Sequence, residues 1–232
     1  MKRLTVSVVI GIALLVAGSL AAFAAPSVFG TSGNIITPDD TIVAPGGLNL
    51  AYHGIVDFAG SDDTLNIFGG NFGLFPNLEV GAAVATNGDS ELLLNGKYRL
   101  LAETASRPAI TVGAIDLSSE LFSDAGIYIL FSKSLTQFAE EVADRPSRPL
   151  RGHLGLGDGP LSGVFAGLDW TLTPKLSAML EFISDSELEG GGGGSLFNGG
   201  LRYALTDEIR LDASLIDFDD FSFGASYQTL KF

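Results

Sequence analysis

From Leu48 to the C-terminus, apolar side chains fall on every second position in short windows broken by turn residues. The pattern is clearest in Asp169–Phe182. Leu168, Trp170 and Leu172 alternate before the turn Thr173-Pro174-Lys175, and Leu176, Ala178, Leu180 and Phe182 alternate after it. A period of two with a tight turn between is a β-hairpin with one apolar and one polar face. The unit recurs at Asn71–Val84 and Arg202–Leu215. Aligned without gaps, Phe72, Trp170 and Tyr203 coincide, as do Leu74, Leu172 and Leu205, the turn residues Pro76, Pro174 and Asp207, and Leu78, Leu176 and Ile209.

The alternation predicts twelve strands, over 48–58, 64–75, 78–86, 91–101, 108–117, 125–135, 150–157, 162–172, 176–184, 195–205, 209–216 and 220–230. An even number of strands of this length suits an antiparallel barrel tilted across a bilayer. The connections form two sets. One holds 76–77, 103–107, 136–149, 173–175 and 206–208, mostly tight, and is expected in the periplasm. The other holds 60–63, 87–90, 118–124, 158–161, 185–194 and 217–219, and is expected outside the cell. Phe138–Val142 breaks the pattern as either a helical turn or two before Pro146 or, favoured, a plain long turn.

What precedes the strands is different. Met1-Lys2-Arg3, an apolar run to about Ala22, and Ala22-Phe23-Ala24-Ala25 have the layout of a secretory signal peptide, so residues 1–25 are expected to be cleaved. Residues 26–47 are Gly/Pro/Thr-rich and aperiodic, an extended lead-in lying in the periplasm or tucked into the lumen, and 48–232 is the barrel. Without Lys2 and Arg3, 11 basic side chains face 27 acidic ones, a charge near −16 that disfavours nucleic acid. There is no Cys, so no disulfide holds the fold.

The second face of each hairpin decides which way the barrel is turned. It carries Glu79, Lys97, Arg99, Asp169, Glu181, Arg202, Arg210 and Asp212 at mid-strand, together with Asn, Ser, Thr and Gly. After an export signal, this points to apolar residues facing lipid and polar ones lining the lumen. Lys97, Arg99, Arg202 and Arg210 are then expected to pair with Glu79, Asp169, Glu181 and Asp212, because unpaired charges in a narrow lumen are costly. Trp170 falls where a periplasmic aromatic girdle belongs. Phe232 ends the chain in the phase of Gln228 and Ser226, whereas Phe221, Phe223, Ala225 and Tyr227 hold the other, so the last strand is bulged or the terminal Phe is incidental.

Candidate chemistry is sparse. Asp62, Asp63, Asp89, Asp158, Asp185 and Asp219 form an acidic extracellular rim, read as solvated rather than as a metal site, since no calcium-loop spacing occurs. Glu189–Ser195 is a Gly-rich tract without the Lys-Ser/Thr of a phosphate loop. His53 and His153 are the two imidazoles available to a lipid-modifying enzyme, and neither has a Ser at a diagnostic spacing. No catalytic residues, metal or cofactor are therefore assigned.

Gly30-Thr-Ser-Gly33-Asn-Ile35-Ile-Thr-Pro38, then Pro45-Gly46-Gly47 and Leu48-Asn-Leu50-Ala-Tyr52, resembles the opening of YjbH-like outer-membrane proteins. Gly163–Trp170 and Gly199–Tyr203 resemble barrel hairpins of that group. The resemblance implies a non-enzymatic barrel with a role in envelope or exopolysaccharide export. The alternative is a small passive channel with a charged lumen. The expected partners are outer-membrane lipid, lipopolysaccharide, the machinery that assembles outer-membrane barrels and, on the resemblance, polysaccharide.

Overall fold

A computed structural model describes residues 24–58, 63–122, 124–143, 148–186 and 194–229. The expected signal peptide (apart from Ala24 and Ala25), Asp62, most of the Gly-rich tract and Phe232 lie outside them.

Twelve antiparallel strands close into a barrel. They are β1 (Leu48–Ile55), β2 (Leu65–Phe75), β3 (Leu78–Asn87), β4 (Asp89–Leu101), β5 (Ala109–Ile115), β6 (Gly126–Ser134), β7 (Leu150–Gly157), β8 (Gly163–Thr173), β9 (Leu176–Ser186), β10 (Gly194–Ala204), β11 (Ile209–Ile216) and β12 (Asp220–Gln228). Each pairs with its sequence neighbours, and β1 closes the ring on β12 from Asn49–Gln228 to Ile55–Ser222. Closure leaves no unpaired edge, as a bilayer requires of any sheet within it. β12 keeps an unbroken register to Gln228 against β1 and to Tyr227 against β11, so no bulge interrupts it within the described residues.

The alternation resolves as the sequence predicts. Leu168, Trp170, Leu180, Leu201 and Tyr203 point outward and are exposed, and Glu79, Asn95, Lys97, Glu181 and Asn198 point inward and are buried. At the end with the tight turns, Phe72, Tyr98, Trp170, Tyr203 and Tyr227 form an outward aromatic band. The 136–149 connection at that end opens with helix α1 (Thr136–Ala143), in place of the plain turn favoured from sequence. The helix begins with the Ala139 N–H donating to Leu135 O at 2.9 Å.

Two features of the interior go beyond a hollow barrel. Residues 24–38 and Asp40 are buried inside it. The segment makes two narrow bridges, Pro26 with Ser32 and Gly33 with Pro38, and leaves by pairing Pro45 with Gly73 of β2 before entering β1. The lumen is also unevenly polar, contrary to the expectation of a polar lining throughout: the inward wall charges gather in the half nearer the tight turns. In the other half Ile55, Leu65, Ile67, Leu93, Ile183 and Ile216 point inward and are buried. The connections there fold over the mouth, burying Phe122 and the short 3-10 turn Gly159–Leu161. Water is excluded beneath them, so inward polar groups would lack partners and apolar ones are favoured.

Candidate functional site

A ring of twelve strands encloses more space than side chains alone fill in an eight-stranded barrel. The N-terminal segment fills the polar half, and most of the expected charge network serves to hold it. Glu181 on β9 accepts from the backbone N–H of Ile35, Ile36 and Thr37 at 2.9, 3.0 and 2.9 Å, from Thr37 Oγ1 at 2.6 Å and from Asn198 at 3.1 Å. Glu79 on β3 accepts from the N–H of Ser32 and Val43 at 2.7 and 2.9 Å, from Ser32 Oγ at 2.6 Å and from Asn71 at 2.7 Å. Neither carboxylate is in an ion pair among the described residues. Backbone and amide donors of plug and wall meet the charge instead, which a buried carboxylate needs.

The cations do the converse. Lys97 Nζ is buried and donates to Ser32 O at 2.6 Å, Ser32 Oγ at 2.8 Å and Asp39 O at 3.1 Å, with the Asp39 carboxylate at 3.4 Å. Arg202 forks onto Asp212 (Nε–Oδ1 2.7 Å, Nη2–Oδ2 3.3 Å) and gives its remaining N–H groups to Gly33 O and Asn34 O at 2.9 and 3.0 Å. Arg202–Asp212 is thus an expected pair that forms. Around Glu79, Glu181 and Lys97 the plug supplies its own carbonyl, N–H and side-chain groups in place of the expected wall partners. Arg99 donates to Asn77 at 3.3 Å, and Arg210 donates to Thr206 O at 2.5 Å at the turn. Asp169 lies among Arg202, Arg151 and His153 without a direct ion pair among the described residues.

Sequence reasoning missed Asp39, Asp40 and Arg151. Arg151 Nη2 holds Asp40 at 2.9 Å while its Nη1 holds Glu103 at 3.0 Å in the β4–β5 turn. Lys133 approaches Glu103 at 3.4 Å. Burial pushes the Glu103 carboxyl up, but the Ser134 N–H and the Arg151 and Lys133 charges outweigh it and hold the group below its usual range. The Asp39-Asp40 doublet in an otherwise uncharged lead-in was the available signal.

Asn95 on the wall links the plug to the mouth opposite the tight turns. Asn95 Nδ2 donates to Phe29 O at 2.7 Å, and its Oδ1 accepts from the Asp116 N–H at 2.9 Å. Asp116 organises the β5–β6 connection, accepting from the N–H groups of Leu121 and Phe122. Phe29 meets Phe122 edge to face with centroids 5.2 Å apart. Between plug and wall, at Val28, Asn34, His53 and Arg202, remains a cavity of about 10 Å³, room for about one water.

The rim residues Asp63, Asp89, Asp158, Asp185 and Asp219 all lie at the end opposite the tight turns and are exposed. Asp158 caps the 3-10 turn through the Gly159 N–H. Among the described residues no three His, Asp or Glu side chains come together as a metal site. Ser132 Oγ lies 2.8 Å from His153 Nδ1, but both are buried behind the plug and His153 Nε2 has no partner among the described residues.

No family model matches the chain, and no curated protein matches it. Solved structures do. The NanC porin superposes with a TM-score of 0.54 at 10% identity, over 79% of this chain and 100% of the porin. The KdgM porin gives 0.53 at 10% identity over 80% and 99%. The outer membrane protein Omp33 of Acinetobacter baumannii gives 0.50 at 10% identity over 79% and 98%. The fold is that of outer-membrane porins. With the apolar exterior and its aromatic band, it places the chain in the outer membrane. None of these comparisons carries the YjbH-like resemblance further.

Proposed function

We propose that this chain is a porin-like outer-membrane channel held closed by its own N-terminal segment. The observation that carries the reading is the capture of plug backbone by Glu181 and Glu79, wall carboxylates that no cation neutralises directly. A barrel with a permanently filled lumen could bury apolar residues there at lower cost, since inward charges must otherwise be desolvated. Here the charged belt matches the plug, and a polar wall is what water and solutes need once the plug leaves. Asn95 and the Phe29–Phe122 contact couple plug departure to the extracellular mouth, because the β5–β6 connection loses its inner support at the same moment.

Planar-bilayer recording tests this. The full chain is expected to be nearly silent. Deletion of residues 26–44 and the substitution Gly33→Val should each open steady conductance. A Cβ at Gly33 runs into Thr37 O and Pro38 Cα, so valine breaks the plug's second bridge without touching the wall. A synthetic 26–44 peptide added to the deletion protein should close it again. Full-chain conductance equal to that of the variants, or silence of both variants while the strand content is intact, contradicts the reading.

A further inference from the structure

The wall grips the plug chiefly by its peptide groups. Glu181 takes three successive N–H groups, of Ile35, Ile36 and Thr37, and Glu79 takes those of Ser32 and Val43. On the acceptor side Arg202 takes the carbonyls of Gly33 and Asn34, and Lys97 those of Ser32 and Asp39. Plug side-chain groups join at Ser32 Oγ, Thr37 Oγ1, Asp39 and Asp40. Recognition through main-chain N–H and C=O groups is indifferent to sequence and specific for the peptide unit.

Resting on the plugged-channel reading, we propose that this belt is a peptide-backbone binding site and that the solute admitted when the plug leaves is a short peptide. Charge favours the same class. A polyanion entering the belt meets Glu79, Glu181 and Asp212, and a polycation meets Lys97 and Arg202. A zwitterionic peptide offers its ammonium and N–H groups to the carboxylates, and its carbonyls and carboxylate to Arg202 and Lys97, so each wall charge recovers the kind of partner it loses. In its closed state the plug is a stand-in for that solute.

Uptake into liposomes carrying the Gly33→Val protein tests the proposal, with trialanine and the neutral sugar maltose as the probes. Trialanine is expected to enter about ten-fold faster at low concentration, the worth of one charge-assisted hydrogen bond. Adding Glu181→Gln or Arg202→Gln should bring the two rates together. Equal rates, or faster maltose, in a conducting Gly33→Val protein overturn the peptide assignment and leave the plug intact as an idea. If neither Gly33→Val nor the 26–44 deletion conducts, the plugged-channel reading fails and this inference fails with it.

Discussion

Glu181 and Thr37 are 144 residues apart in sequence, yet one carboxylate oxygen accepts both the backbone N–H and the hydroxyl of Thr37, at 2.9 and 2.6 Å. The same carboxylate receives the two preceding N–H groups of the plug. Glu181→Ala orphans these buried donors, each costing about 1–3 kcal/mol. The substitution should lower unfolding stability by about 3 kcal/mol or more and remove hydrogen-exchange protection at residues 35–37. Asp185→Ala, on the same strand at the exposed rim, should change stability by under about 0.5 kcal/mol. Denaturant titration and amide exchange read both.

Leu180 tests the orientation of the wall. It faces outward near the middle of β9, beside inward Glu181, and is 53% exposed. If lipid covers it, Leu180→Arg should destabilise the bilayer-embedded protein by about 2–4 kcal/mol, the cost of an arginine near the bilayer midplane. A water-exposed Leu180 would give little change in the same unfolding titration.

Gly155 tests how tightly the apolar half of the lumen is filled. It faces inward on β7, and a Cβ there runs into the ring of Phe165, which is itself fully buried and packs edge to face on Tyr128 with centroids 6.1 Å apart. Gly155→Ala should cost about 1–3 kcal/mol by overpacking. Pairing it with Phe165→Leu should recover part of that loss, which a double-mutant cycle measures.

Glu103 gives the latch formed by Asp40, Arg151 and Glu103 a pH dependence. Its carboxyl is held below the usual range by the Ser134 N–H and by Arg151 and Lys133, against the opposing effect of burial. A depressed carboxylate contributes stability that is fully present above its unfolded value, about 4.3, and is lost as pH falls through the folded value. Acidification below about pH 4 should therefore loosen the latch. Melting curves of wild type and Glu103→Gln should converge there and separate at neutral pH.

Much of this was legible in the chain itself. Strict alternation around Trp170 and Leu180 located the strands, and the charges on the opposite face turned the barrel outward. The apolar upper lumen was written less openly. Leu92-Leu93-Leu94 and Ile127–Phe131 lose the alternation because both faces are apolar there, with Leu93, Tyr128 and Leu130 buried inside. The pairing of Glu79 and Glu181 was not readable, because their partners are backbone groups of an aperiodic segment that no period or spacing announces. The expected pairing of Lys97 with a wall carboxylate gave way for the same reason. A segment that supplies peptide N–H and C=O groups satisfies charges that a side-chain count assigns to one another.

The placement of residues 24–40 inside the lumen carries the closed state, and the absence of cysteine from the chain makes it directly measurable. Val28 is 3% exposed, packed deep in the barrel near the Phe29–Phe122 contact. In a Val28→Cys protein folded in liposomes, a membrane-impermeant maleimide should leave the thiol unmodified, and adding Gly33→Val should make it react readily. Rapid modification of Val28→Cys alone would contradict the plug.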